Sequence, residues 1–163
     1  IESLVPRRAE QQSAVMTRVV PQILSELEGV AGRPDNPLLF LAATNEPGSL
    51  DPAVLRPGRF DEKVYIPLPD APARFRMLEI YLSKRPLAGD VDFGELCDRL
   101  DGFSGADIRR VCERAATIPF LEAVAGKPVR PITRADIDKV LADTRPSVQP
   151  RDLARYDAFA AET

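Results

Sequence analysis

The chain contains no histidine and no tryptophan, and two cysteines in 163 residues. Without histidine there is no Ser-His-Asp or Cys-His nucleophile pair and no imidazole-built zinc or iron site. Cys97 and Cys112 stand fifteen residues apart, so there is no CxxC and no thiolate cage for a metal. None of the nine glycines opens a GxxxxGK(S/T) phosphate loop, because the Gly126-Lys127 pair runs into Pro128. The longest apolar run, residues 38–43, falls far short of the roughly 20 residues that span a bilayer, so no membrane insertion is expected. A net charge of −3 speaks against general nucleic-acid binding. Two unmatched cysteines and no visible signal peptide suit a reducing, cytoplasmic setting. The one abundant oddity is proline, sixteen residues, at about twice average usage. The first residue is Ile1 and a polar, helix-like stretch follows almost at once, so the N-terminus reads as cut from something longer.

Periodicity organises the rest. Val15, Val19, Ile23 and Leu27 recur every fourth residue, with Met16, Val20 and Leu24 beside them, which predicts a helix over residues 10–28. Pro21 inside it removes one backbone hydrogen bond and predicts a kink costing about 3 kcal/mol locally. Residues 29–37 have the composition of a loop. Residues 38–43 read as a strand buried on both faces, and 63–66 as a second short strand. Pro67, Pro69 and Pro72 form a hinge-like segment, with Asp70 as N-cap. Helical patterning then takes over: Phe75, Leu78 and Leu82, then Phe93, Leu96, Cys97 and Leu100. Ser104 with Asp107, and Thr133 with Asp136, announce capping boxes ahead of two apolar faces. Leu153, Tyr156 and Phe159 mark a last amphipathic helix. The fold class is therefore α/β followed by all-α, with the boundary near residue 70.

Three short stretches carry groups suited to chemistry, and each has a plain structural explanation as well. Thr44-Asn45 ends the first candidate strand, where a carboxamide can orient a water or meet a phosphate oxygen, or simply begin a turn. Leu55-Arg56-Pro57-Gly58-Arg59-Phe60-Asp61 places two guanidiniums in a stiff loop. They could clamp an anion, or pair with Asp51, Asp61 or Glu62 on the surface. Gly102-Phe103-Ser104-Gly105-Ala106-Asp107 leaves backbone N–H groups approachable at a helix start, and also reads as an ordinary helix stop and cap.

In their order and spacing these stretches resemble the AAA ATPases from just after the Walker B segment to the C-terminus, over essentially the whole chain. Within that family the chain is similar to the valosin-containing-type unfoldases and to the katanin, spastin and vacuolar-sorting branch. Tyr65-Ile66-Pro67-Leu68-Pro69-Asp70 and Arg145-Pro146-Ser147-Val148 fit the same pattern. The resemblance implies that Asn45 is the sensor-1 residue and that Arg56 and Arg59 are paired arginine fingers. It also implies that Gly105 and Ala106 pack against the nucleotide as the sensor-2 pair. Tyr81 stands where unfoldase members often carry a histidine near the adenine. Residues 7–12 fall in the second pore-loop region, where Arg7 and Arg8 would touch a threaded polypeptide or form a solvated charge pair. Glu2 reads as structural.

The resemblance further implies ATP and Mg²⁺ as cofactors, with most ligands outside this chain. It implies a homo-oligomer, in this family a hexamer, acting on protein substrates by unfolding or remodelling, with no nucleic acid. Residues 1–69 would be the C-terminal part of a P-loop NTPase-type parallel sheet lobe, and 70–163 a small helical lid with a C-terminal helix. The two strands would flank a P-loop strand that this chain lacks, so the first 70 residues should be poorly stable, rearranged or completed by upstream chain. The chain alone should not hydrolyse ATP. The alternative is a non-catalytic AAA-like subunit or oligomerisation module that supplies Arg56 and Arg59 to a partner.

Overall fold

A computed structural model describes residues 1–7, 16–31 and 39–161. The described residues form six α-helices: α1 (Met16–Ala31), α2 (Ala71–Leu82), α3 (Phe93–Arg99), α4 (Gly105–Val124), α5 (Arg134–Ala142) and α6 (Pro150–Ala161). Two short 3₁₀ turns, Pro47–Ser49 and Pro52–Leu55, lie between α1 and α2. By its contacts the chain divides into two units, Ile66–Leu153 and Ile1–Tyr65 with Ala154–Thr163.

The helices of the larger unit start where side chains are available to satisfy their first N–H groups. Asp70 accepts from the Ala73 N–H at 2.9 Å, and Pro72 occupies the first turn, where no donor is required. Asp92 takes the N–H groups of Gly94 and Glu95 to start α3. Both capping boxes form, Ser104 with Asp107 on α4 and Thr133 with Asp136 on α5. Gly102 turns the chain from α3 to α4 at φ +78°, a conformation that a Cβ disfavours. α4 packs against α2 and α5, and α3 against α2. Between them lie Leu78, Leu82, Leu96, Leu100, Ile108, Val111, Ile137 and Val140, with Cys97, Cys112 and Ala115. Each fully buried Leu or Ile there contributes about 2 kcal/mol. A parallel bridge between Leu87 and Ile132 ties the α2–α3 loop to the α4–α5 loop.

Phe75 departs from the expected core face. It is 42% exposed and meets the Phe93 ring edge-on at 5.9 Å. The α2 position one residue earlier is filled instead by Arg74, which is buried.

The smaller unit buries Val5, Val20, Leu24, Leu50, Ala53 and Val54, with Ile1, Ile23, Leu55 and Phe60 packed around them. α1 contributes through Val20 and Leu24, while Val19 and Ile23 are half-buried, so the buried stripe is rotated from the Val19/Ile23 row. Pro21 lies inside α1 and is exposed. The helix runs on to Ala31, past the expected end, and its expected start at residues 10–15 lies outside the described residues. So do Arg8 to Gln12 of the pore-loop region, most of the expected loop, and Leu38.

The sheet lobe does not form among the described residues. Residues 39–43 and 63–66 carry no strand, and the extended pairing present is two isolated bridges, Pro6 with Leu50 and Leu87 with Ile132. Leu39 and Leu41 are 82% and 86% exposed, and Val64 and Ile66 82% and 83%. The physical reason is partner supply. A strand apolar on both faces needs hydrogen-bonding neighbours at its edges and cover above and below. The described residues offer it neither.

Candidate functional site

Thr44, Asn45 and Glu46 form an irregular loop whose atoms are nonetheless individually held. The Thr44 hydroxyl donates to Glu2 Oε2 at 2.7 Å, and that bond leads the set of interactions that lower the Glu2 carboxyl to about 2. The Glu46 N–H donates to Thr44 Oγ1 at 2.9 Å. Tyr156 on α6 donates its hydroxyl to the Asn45 main-chain carbonyl at 2.9 Å. Arg155, next to it, pairs with Glu46 at 2.9 Å and lies over the Tyr156 ring. The Asn45 carboxamide itself is exposed and has no partner among the described residues.

The arginine loop hangs from the second 3₁₀ turn. Asp51 caps it through the Ala53 N–H at 2.9 Å, and Ala53 and Val54 are buried beneath. Gly58 then takes φ +85°, and its N–H reaches Asp61 Oδ1 at 2.6 Å, closing a tight turn. The two arginines are not equivalent. Arg59 is half-buried and donates through Nη1 to the Ala53 carbonyl, bracing its own loop. Arg56 is exposed and has no side-chain partner among the described residues.

Gly105 and Ala106 are the first two residues of α4, so their N–H groups have no intrahelical acceptor. A Cβ on Gly105 would come to 3.2 Å from Met77 Cε, so Met77 lies over this helix start. Asp107 follows, buried, with Oδ2 accepting from the N–H and hydroxyl of both Ser104 and Ser147. Burial acts to raise its pKa, and those four hydrogen bonds outweigh it, so the carboxyl stays below its ordinary value. The helix start thus already carries a fixed negative charge, which favours a neutral base or sugar edge over a phosphate. Tyr81 is half-buried and packs against the core. Tyr81, Gly105 and Ala106 belong to the larger unit, and Asn45, Arg56 and Arg59 to the smaller.

An open cleft of about 430 Å³ is lined by Arg99, Phe103, Asp138, Leu141, Thr144 and Arg145, among others. Tyr81, Gly105 and Ala106 do not line it, and Arg99 and Asp138 pair with each other. Among the described residues no group of three or more His, Cys, Asp or Glu side chains is placed to hold a metal ion. Nor is any described helix long and apolar enough to cross a membrane. The part played by Tyr156 was invisible to motif reading, which showed it as one apolar position of an amphipathic helix.

Family models match along the chain in succession. The model for the ATPase family associated with various cellular activities (AAA) matches residues 1–68. That for the AAA+ lid domain matches 90–139, and that for the Vps4 C-terminal oligomerisation domain 124–163. The chain belongs to the AAA ATPase family. It is similar to the cell division cycle protein 48 homolog of Archaeoglobus fulgidus, with 39% identity over 96% of this chain and 23% of that protein. It is also similar to protein SAV of Sulfolobus acidocaldarius, at 32% identity over 99% of this chain and 24% of that protein. The chain thus spans about a quarter of the length of these curated relatives.

Proposed function

We propose that this chain is the sensor, arginine-finger and lid portion of an AAA ATPase that couples ATP hydrolysis to unfolding or remodelling of protein assemblies. The observation that carries this reading is the order of the three family matches, ATPase, lid and oligomerisation domain, along one chain. The working form would be a homo-oligomer, a hexameric ring in the cytoplasm, with each nucleotide between two copies.

In that ring Asn45 acts in cis, its carboxamide holding the attacking water or a γ-phosphate oxygen. Its exposure and lack of a partner support this role. Arg56 acts in trans on the neighbouring copy's nucleotide, where charge spreads over the γ-phosphate oxygens as the bond breaks. Arg59 joins it or braces the loop from which Arg56 projects, as its bond to the Ala53 carbonyl suits. Gly105 and Ala106 present backbone to the nucleotide, and Tyr81 stands near the adenine. Mg²⁺ would shield phosphate charge when bound. The described residues do not offer the oxygen-rich set that this ion takes, so its ligands would come from elsewhere.

Trans-acting arginines in nucleotide hydrolases are worth about 10³–10⁵ in rate. Arg56→Ala in the complete ATPase should therefore reduce turnover at least 100-fold, roughly, with nucleotide affinity kept. Mixing this variant with one inactivated at Asn45 should restore part of the turnover, because the two defects then fall on different copies. Unchanged turnover in the Arg56 variant would count against the arginine-finger role of Arg56 and for a structural role of the loop.

A further inference from the structure

We infer that α6 positions the Asn45 loop for its work on the nucleotide, with Tyr156 as the positioning residue. The inference rests on the assignment of Asn45 as a nucleotide sensor and adds to it a function for the last helix beyond oligomerisation.

Three successive residues of α6, all within the smaller unit, meet residues earlier in the same unit. Arg155 pairs with Glu46, Tyr156 donates to the Asn45 carbonyl, and Asp157 faces the Tyr65 hydroxyl. Together with the Thr44 hydroxyl on Glu2, these contacts fasten the loop at each of its three residues. The central side chain alone is left open. That distribution is what a positioned functional group requires: main chain held, reactive end unengaged. Nothing else of regular structure restrains the loop, since residues 44–46 lie outside every helix and bridge and continue into the turn at Pro47–Ser49. Without the Tyr156 hydroxyl the Asn45 carbonyl would turn to water, and the peptide plane that aims the carboxamide would be free to rotate. Misplacement by about 1 Å costs on the order of 100-fold where chemistry depends on positioning.

Tyr156→Phe tests this cleanly, because it deletes one hydroxyl and keeps the ring and its stacking with Arg155. In the 163-residue chain, hydrogen exchange should speed up in the peptide that covers residues 44–46 and stay unchanged in α4. In the complete ATPase kcat should fall about tenfold or more, with the KM for ATP within about twofold and the oligomer intact. In an Asn45→Ala background the Tyr156 change should have no further effect, because it acts through that side chain. Unchanged exchange at the loop, an unchanged kcat, or an additive loss in the double variant would each overturn the inference. If Asn45→Ala itself left turnover intact, the sensor assignment would fall first and Tyr156 with it. The exchange result alone would then report a purely structural contact.

Discussion

Arg74 offers the sharpest test of how the larger unit is held together. Its side chain is 9% exposed and makes three polar contacts: Nε to the Cys97 carbonyl at 2.8 Å, Nη1 to the Pro69 carbonyl at 2.9 Å, and Nη1 to Asp101 at 2.9 Å. The first is decisive. Cys97 lies in the last turn of α3, and the amide that would normally reach its carbonyl, that of Asp101, bonds to Asp98 instead. Arg74 therefore caps the C-terminus of α3, supplying both the missing donor and a cation where the helix dipole favours one. The Asp101 carboxylate is 80% exposed, so that ion pair adds little.

Arg74→Met keeps most of the apolar stem and removes the donors. An orphaned buried carbonyl costs about 1–3 kcal/mol, the lost dipole interaction about 0.5, and the Pro69 bond about another 0.5–1. The sum is about 3 kcal/mol, or roughly 12–24 °C in Tm for a unit of this size. The two cysteines, both buried in this unit, give a local assay. Burial pushes the Cys112 thiol up to about 11 and raises Cys97 as well, so neither should react with a disulfide reagent until the unit opens. Arg74→Met should then accelerate labelling about 100-fold, whereas Arg74→Lys, able to satisfy one carbonyl at a time, should fall between. A loss below about 1 kcal/mol for the Met variant, or a Lys variant equal to wild type, would refute the capping argument.

Two further outcomes follow from the same unit. Asp136 is held below the ordinary carboxylate range, chiefly by hydrogen bonds from Arg130, and Asp107 is lowered by Ser104 and Ser147 against the cost of burial. A depressed folded-state pKa means that the unfolded chain takes up protons first. The stabilisation is thus whole above about pH 5 and is lost as pH falls through about 4 and below. Denaturant titrations from pH 6 to 3 should show this slope, reduced in Asp136→Asn; a flat profile would contradict it. Gly105→Ala should change stability by less than about 0.5 kcal/mol, since the flexible end of Met77 can yield and alanine favours the helix. In the complete ATPase it should weaken ATP binding if nucleotide approaches that backbone, and calorimetry that shows equal affinity would remove Gly105 from the site.

How much could be read without coordinates depended on how local each rule is. Asp70, Ser104 with Asp107, and Thr133 with Asp136 cap helices using atoms three residues away, so their letters sufficed. The apolar faces of α3, α4 and α5 were legible for the same reason, as were the segments that carry the family resemblance. Phe75 lies off its expected core face and Arg74 is buried beside it, where it supplies the donor that the C-terminus of α3 needs, and no pattern within α2 reports that need. The Asp107 carboxylate read as a cap, but its second partner, Ser147, lies 40 residues on. The likeness of Arg56 and Arg59 in sequence concealed a difference that the Arg59 bond to the Ala53 carbonyl brings out.

By itself, then, the sequence determined the starts of α2, α4 and α5, most of the helical core and the family to which the chain belongs, because these follow from neighbours along the chain and from motif spacing. Tertiary structure decided what depends on distant partners. The apolar run at 38–43 reads as a buried strand and 63–66 as a second short strand, yet the described residues 39–43 and 63–66 carry none, because a strand's hydrogen bonds and cover come from other segments. The contact between Tyr156 and Asn45 joins residues 111 apart, which no periodicity encodes. An extended segment or a buried polar group takes its meaning from what the rest of the chain brings to it.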